Sequence, residues 1–283
     1  GGATGIEVAG ILSEMKKFVL PNDYPDMPSS LMHIYLIEAG PRLLAGMSEE
    51  SSAHAEQFLR EMGVNILLNK RVVDYRDHKV VLEDGTEIAT RTFIWVSGVT
   101  GVTIGNLDAS LIGRGGRIKV DSFNRVEGMN NVFAIGDQCI QLADENYPNG
   151  HPQLAQVAIQ QGELLAKNLI RMEKGQEMKP FHYRNLGSMA TVGRNRAVAE
   201  FSKVKMQGWF AWVMWLVVHL RSILGVRNKV IVLLNWVWNY FTYDQSMRMI
   251  VYARKAKEIR DREKVEETTH WGKELVQEEK NPS

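Results

Sequence analysis

The chain has 283 residues, 45% of them hydrophobic and 24% charged, which is enough apolar content to bury the core of one large or two modest domains. A formal net charge of +1 gives no general electrostatic case for nucleic acid as a partner. Cys139 is the single cysteine, so an intramolecular disulfide is excluded, and no Cys/His cluster points to a metal.

The chain opens on "GGATGIEVAG". Gly2 and Gly5 fit the second and third glycines of a G-x-G-x-x-G turn, whose first glycine and preceding strand would lie before Gly1. The turn predicts a helix running towards Leu20, with Ile6, Ala9, Gly10, Leu12 and Met15 facing a sheet. Gly2 would let a phosphate approach the backbone, Gly5 would let the helix pack close to a strand, and the free N–H groups of the first turn would take a pyrophosphate. Next, "PNDYPDMPSS" reads as a loop, and "IYLIE" as a buried strand ending on Glu38. An acid at that position accepts hydrogen bonds from ribose hydroxyls and repels a 2′-phosphate, which favours NADH over NADPH; Arg42 is close enough to complicate that preference. "EESSAHAEQFLREMG" predicts a helix stopped by Gly63. "VNILLN", "RVVDYRD", "KVVLEDG" and "TEIATRTFIWVSG" predict strands, with "EDGTE" as a hairpin turn and Gly98 permitting close backbone approach to a cofactor.

"GGATGIEVAG", "LIEAGPRLL" and "FIWVSGV" together resemble the second nucleotide domain of flavoprotein pyridine-nucleotide oxidoreductases. In that family an NADH domain is inserted into an FAD domain, which implies that an N-terminal FAD half, with its own glycine fingerprint, would precede Gly1. "NVFAIGD" predicts a short buried strand ending at Gly136–Asp137, after the segment formed by Val120, Asp121, Arg125 and Val126. The resemblance implies that Asp137 meets the FAD ribityl chain; on spacing alone it could equally be a helix N-cap.

"HPQLAQVAIQQGELLAKNLI" predicts a helix after Pro152. Ala155, Ala158 and Gly162 are small enough to let it lie close to a flat ring, and Gln156 and Gln160 share one face, where a plain polar surface is the other reading. The string Ala155, Gln156, Ala158, Gln160, Gln161 resembles the quinone-site motif of type II NADH dehydrogenases, the single-subunit, non-proton-pumping NADH:quinone oxidoreductases. That resemblance implies three roles. Gln156 approaches the quinone head beside the flavin, with Gln160 on the same face as a further catalytic candidate; Leu154 and Ala155 present backbone N–H groups to the flavin; Glu7 is an acid implicated in proton transfer to quinone. A lysine carried by some members before the G-[ST]-x-A stretch is replaced here by Leu186.

"FHYRNLGSMATVGRNRAVAEF" predicts the strands of a small C-terminal sheet. Five of the seven tryptophans then lie between Trp209 and Trp238, in two apolar runs separated by Arg221, Arg227 and Lys229. Each run is short of the roughly 20 residues needed to span a bilayer. The Trp, Tyr and basic residues predict two helices lying in one leaflet, against a buried hairpin as the alternative. The tail beyond Ala253 reads as a solvated charged helix.

The expected fold class is α/β: a two-dinucleotide-binding-domain flavoprotein, with a Rossmann-like NADH domain, a partial FAD domain and a C-terminal membrane-docking helical region. The expected divisions are 1–104 for NADH, 105–180 for FAD and the quinone-site helix, 181–254 for the sheet and docking helices, and 255–283 for the tail. The resemblance implies FAD and NADH as cofactors and a membrane quinone as partner. It places the protein peripherally on the inner, cytoplasmic or matrix-type face of an energy-transducing membrane, docked through residues 209–243, with dimerisation left open. Two alternatives stay open: a disulfide or ferredoxin reductase of the same architecture, and a truncated NADH-binding membrane protein without catalysis.

Overall fold

The computed structural model describes residues 1–242 other than 27, 103 and 203. Tyr243 and the charged tail lie outside the described residues. Two units divide between Lys229 and Val230.

The first unit begins with α1 (Ala3–Glu14), extended by a π-helical stretch at Met15–Val19 and the short α2 (Leu20–Asp23). Pro21 lies in that last turn; its ring crowds a preceding carbonyl and it has no N–H, which disrupts regular α-helical bonding there. Strands β1 (Ile34–Ile37) and β2 (Val64–Leu67) pair in parallel, with α3 (Glu49–Glu61) as the crossover between them. Helix α3 starts where the Ser48 side chain accepts a hydrogen bond from Ser51 N–H, and ends before Gly63, whose φ is +83°. Strands β3 (Val72–Arg76), β4 (Lys79–Leu82) and β5 (Glu87–Ala89) form an antiparallel meander turning at Asp84–Gly85.

Further on, β6 (Ile118–Val120) pairs in parallel with β7 (Cys139–Gln141). Helix α4 (Ala155–Glu173) follows. Strands β8 (Ser188–Gly193), β9 (Arg196–Phe201) and β10 (Val204–Gln207) form an antiparallel sheet in the order β10-β9-β8. Then come α5 (Gly208–Ser222) and α6 (Val226–Thr242), most of which belongs to the second unit.

Two expected strands do not form. Phe93 to Gly98 is extended without a ladder, and Ile94 and Trp95 are exposed. Around "NVFAIGD" only an isolated bridge between Arg125 and Phe133 is made. A strand exists by virtue of a hydrogen-bonded neighbour; among the described residues the first segment has no ladder partner, and the second meets only Asn124–Val126, through two backbone hydrogen bonds.

The largest core joins the beginning of the chain to its C-terminal sheet. Ile6 and Ala9 of α1, Ile34 and Leu36 of β1, Leu59 of α3, and Ala190, Val192 and Val198 of the sheet are buried together. Full burial of one such aliphatic side chain is worth about 1.5–3 kcal/mol. The opposite face of the same sheet packs Ala197, Ala199 and Met189 against Ala211 and Trp212 of α5. The sheet is therefore sandwiched, with α1 and α3 on one side and α5 on the other.

Candidate functional site

At the glycine turn, Gly2 is the N-cap of α1, extended and without a side-chain cap, and a Cβ built on it meets nothing within 4 Å. That leaves open space before the uncapped N–H groups, which suits an anionic phosphate. Gly5 is buried between Leu36 and Val96, where a Cβ would come within 3.3 Å of Val96 Cγ2. Glu38 closes the far side of the turn. Its carboxylate accepts from Gly40 N–H at 2.7 Å and lies against Gly1, where a built Cβ would come within 2.6 Å of it. Burial works upward on this carboxyl, and the backbone N–H groups of Gly40 and Ala39 work downward. Arg42 is committed elsewhere, donating to the carbonyls of Met47 at 2.8 Å and Ala45 at 2.9 Å. An acid beside open phosphate space, with the nearby guanidinium engaged, fits an unphosphorylated adenosine ribose. Gly98 has φ of +83° and no atom near a built Cβ, leaving room for a close-lying ligand.

The second cluster surrounds Gly136. With φ of +65°, it lies 3.2 Å from Ala158 Cβ when its own Cβ is built. The buried Gln161 accepts from Gly136 N–H at 2.7 Å, pinning the turn to α4. Asp137 is exposed, in a 3-10 turn, and its backbone carbonyl accepts from Gln153 at 3.1 Å. Leu154 is the N-cap of α4; its N–H donates to the Pro152 carbonyl at 3.0 Å, and Ala155 begins a helix with no side-chain cap. A small residue at an uncapped helix start beside an exposed carboxylate is compatible with a flavin held by backbone donors and a ribityl hydroxyl. Cys139 is buried behind Gly136, and burial pushes its thiol up, so it is a packed residue and a poor nucleophile.

Gln156 and Gln160 are both engaged by backbone. Gln160 donates to Arg184 carbonyl at 2.9 Å and accepts from Arg184 N–H at 3.1 Å. Gln156 donates to Gly187 carbonyl and accepts from Leu186 N–H, both at 3.0 Å. Four helical residues rise about 6 Å, and two extended residues about 6.6 Å, so the two amides match the spacing of the extended segment before β8. Each amide nitrogen carries a second proton, which can serve a ligand carbonyl.

Glu7 stands elsewhere, at the free edge of β8. Its carboxylate accepts from Thr191 N–H and lies 3.5 Å from Thr191 Oγ1. Burial, the largest influence, raises its pKa; Thr191 and the charge of His219 pull the other way without cancelling it. Gly187 and Thr191 are four residues apart on one segment, about 13 Å along a strand. The glutamines and the acid are thus anchored to the same stretch and not to one point.

One buried polar cluster was not anticipated. His151 Nε2 donates to Asp144 at 3.0 Å inside a cage of Tyr147, Phe181 and Tyr183. Arg117 clamps the neighbouring carbonyls of Cys139 and His151. The sequence signal was a lone His before Pro152 and an Asp seven residues earlier, which only tertiary packing makes a pair.

The family model for pyridine nucleotide-disulphide oxidoreductases matches residues 1–162, and that for the NDH2 C-terminal domain matches residues 185–243. Type II NADH:quinone oxidoreductase NdhA of Mycobacterium tuberculosis is 35% identical over 83% of this chain and 51% of its own length. The mitochondrial internal alternative NAD(P)H-ubiquinone oxidoreductase A1 of Arabidopsis thaliana is 31% identical over 85% of this chain and 50% of its own. The chain thus spans about half the length of the curated relatives it matches. Among solved structures, NDH2 from Plasmodium falciparum in complex with NADH superposes with a TM-score of 0.76 at 19% identity, covering 85% of this chain and 64% of that one. The sulfide:quinone oxidoreductase of Aquifex aeolicus gives 0.59 at 16% identity over 84% of this chain and 59% of that one. The fold is that of two-dinucleotide-binding flavoproteins.

Proposed function

The chain belongs to the pyridine nucleotide-disulphide oxidoreductase family and, with its NDH2 C-terminal domain, to the type II NADH dehydrogenases, and we propose that it forms the NADH-binding and quinone-facing part of an FAD-dependent NADH:quinone oxidoreductase that pumps no protons. The observation that carries the proposal is the placement of Glu38 beside the open, uncapped glycine turn at Gly2. When bound, a flavin accepts two electrons from a nicotinamide and passes them to a quinone.

The residues divide that work. Gly2, Gly5 and the start of α1 hold the pyrophosphate of NADH, Glu38 takes its ribose hydroxyls, and Gly98 makes room beside it. Gly136, Asp137, Leu154 and Ala155 hold FAD. Gln156 and Gln160 fix the segment before β8 and offer their spare N–H protons to a quinone carbonyl. Glu7, raised by burial, keeps its proton to higher pH than a free glutamate and supplies it to the quinone oxygen. The divisions are 1–104 for NADH, 105–180 for FAD and the quinone-site helix, and 181–254 for the sheet and docking helices. The protein docks peripherally on the inner face of its membrane through α5 and α6, and a dimer is compatible with this arrangement. Both helices display apolar side chains, such as Phe210 at 72% and Phe241 at 76% exposure. Among the described residues no helix is long and apolar enough to cross a membrane.

The test is steady-state kinetics of the membrane-bound enzyme. Glu38→Gln should raise the NADH KM about tenfold, the loss of about 1.5 kcal/mol in a charged hydrogen bond, and leave the quinone KM unchanged. Gln156→Ala should do the reverse. Equal effects of both variants on both substrates overturn the assignment.

A further inference from the structure

Among the described residues the segment 93–98 has no ladder partner, so its place is set where its flanks are held. On one flank Val96 packs against Gly5 of α1, where a built Cβ would come within 3.3 Å of its Cγ2. Residues 97–100, with Gly98 among them, are exposed. On the other flank Gly101 N–H donates to the Gly115 carbonyl at 2.7 Å, and a Cβ on Gly101 would lie 2.3 Å from the Gly116 carbonyl oxygen. The next residue is gripped by a side chain. Gln138 Oε1 accepts from Val102 N–H at 2.9 Å, and Gln138 Nε2 donates to the Val102 carbonyl at 2.6 Å. One amide thereby satisfies both backbone groups of one residue, as a neighbouring strand would.

The arm that makes this contact is itself fixed. Gln138 closes the 3-10 turn Gly136–Gln138, and the backbone on both sides of it is tied down. Gly136 N–H donates to Gln161 at 2.7 Å, the Asp137 carbonyl accepts from Gln153 at 3.1 Å, and the Cys139 carbonyl accepts from Arg117 at 2.6 Å. Gln138 is half-buried, while Val102 is 73% exposed. Apolar packing therefore does not set the place of Val102; the hydrogen bonds at Gly101 and Val102 do. Gly98 is four residues from Val102, at most about 14 Å of chain, so a shift of the anchor is passed on to it.

We propose that Gln138 is a positioning residue for hydride transfer: its amide ties the segment that carries Gly98 to the turn that carries Asp137, and so sets the NADH side of the site against the FAD side. This rests on the reading of Gly98 as an NADH-side residue and Asp137 as an FAD-side residue. In the net step NADH, FAD and one proton become NAD⁺ and FADH2; the electron pair leaves the nicotinamide with its hydrogen, and the proton comes from water. Such a transfer needs the reacting atoms about 3–3.5 Å apart and aligned. A small shift therefore slows it without loosening the cofactor. Gly2 and Glu38, which hold the pyrophosphate and ribose in this reading, lie outside the tied segment, so NADH affinity is left to them.

The experiment compares the FAD-loaded wild type in detergent with Gln138→Leu, which keeps the side-chain length, and Gln138→Glu, which still accepts from Val102 N–H but has no proton for its carbonyl. Hydrogen–deuterium exchange at Val102 reads the contact without turnover. Stopped-flow absorbance reads the flavin twice, on reduction by NADH and on reoxidation by a short-chain ubiquinone. Gln138→Leu should speed exchange at Val102 and slow reduction at saturating NADH about tenfold, part of the roughly hundredfold loss that a misplacement of about 1 Å can bring. Its NADH Kd, FAD content and reoxidation rate should match wild type, and Gln138→Glu should fall between the two. Faster exchange with unchanged reduction overturns the positioning role, and unchanged exchange overturns the contact itself. Loss of FAD, or equal slowing of both half-reactions, means a merely structural role and also overturns the proposal. A wild type that NADH does not reduce overturns the NADH dehydrogenase reading, and the proposal with it, whatever the exchange shows.

Discussion

Single residues in this chain do their work through the environment that folding provides. Asp144 illustrates it. Burial works upward on this carboxyl, but hydrogen bonds from His151, Asn146 and Tyr183 outweigh it, so its pKa is lowered on folding. A lowered carboxyl contributes stability that is fully present above its unfolded value, near 3.9, and lost as pH falls through the folded value. Asp144→Asn should therefore cost about 1–3 kcal/mol at neutral pH, the usual penalty for an unsatisfied buried partner. It should also flatten the acid limb of a plot of urea midpoint against pH. An unchanged acid limb would mean that the His151 pair does not titrate with unfolding. Glu7, on α1, shows the contrast: burial raises its carboxyl against the pull of Thr191.

Helix α1 is asked to satisfy two neighbours. Its Ile6 and Ala9 fill the core over β1, as the apolar spacing predicts, while Glu7, Gly10 and Glu14 cover the open edge of β8. An uncovered edge strand is a template for association, and this helix removes it. At Gly10 the approach is so close that a Cβ would lie 1.6 Å from the Val192 carbonyl oxygen. Gly10→Ala should destabilise by about 1–3 kcal/mol, the range for overpacking a tight interface. Thermal unfolding of the two proteins decides it; an equal midpoint would mean that α1 lifts from β8 at no cost. Helix α4 similarly carries two duties. Gln161 holds the Gly136 turn, and Gln156 and Gln160 replace a missing strand partner for residues 184–187.

Among the described residues, α5 and α6 carry apolar side chains that internal packing leaves exposed. Phe210, Met214 and Val217 form an exposed stripe on α5 opposite the sheet, and Leu234, Val237, Trp238 and Phe241 are exposed on α6. Arg221, Arg227 and Lys229 lie between the two stretches. Such a composition suits the boundary between headgroups and acyl chains. The chain should sediment with vesicles containing anionic lipid. The double variant Arg227→Glu, Lys229→Glu should weaken that binding at least about 30-fold, on the basis of about 1 kcal/mol per basic residue. Binding that is indifferent to the variant and to salt would place docking elsewhere.

What was legible before folding was what depends on local rules. The α1 glycine turn, the helix α3 stopped at Gly63, the meander turning at Gly85, and α4 starting after Pro152 all follow from periodicity and turn residues. So did the candidate ligand-binding positions at Gly2 and Glu38, because a strand end and a helix start are marked in the chain itself. Tertiary structure decided the rest. Segments 93–98 and 131–136 have strand-like composition yet form no strand, since a ladder needs a neighbour that composition cannot supply. The Asp144–His151 pair is made only by the packing around it, and the bond from Gln161 to Gly136 and the approach of Glu7 to Thr191 join residues remote in sequence. Their energies come from burial and from distances of a few ångströms, and neither quantity exists until the chain has closed on itself.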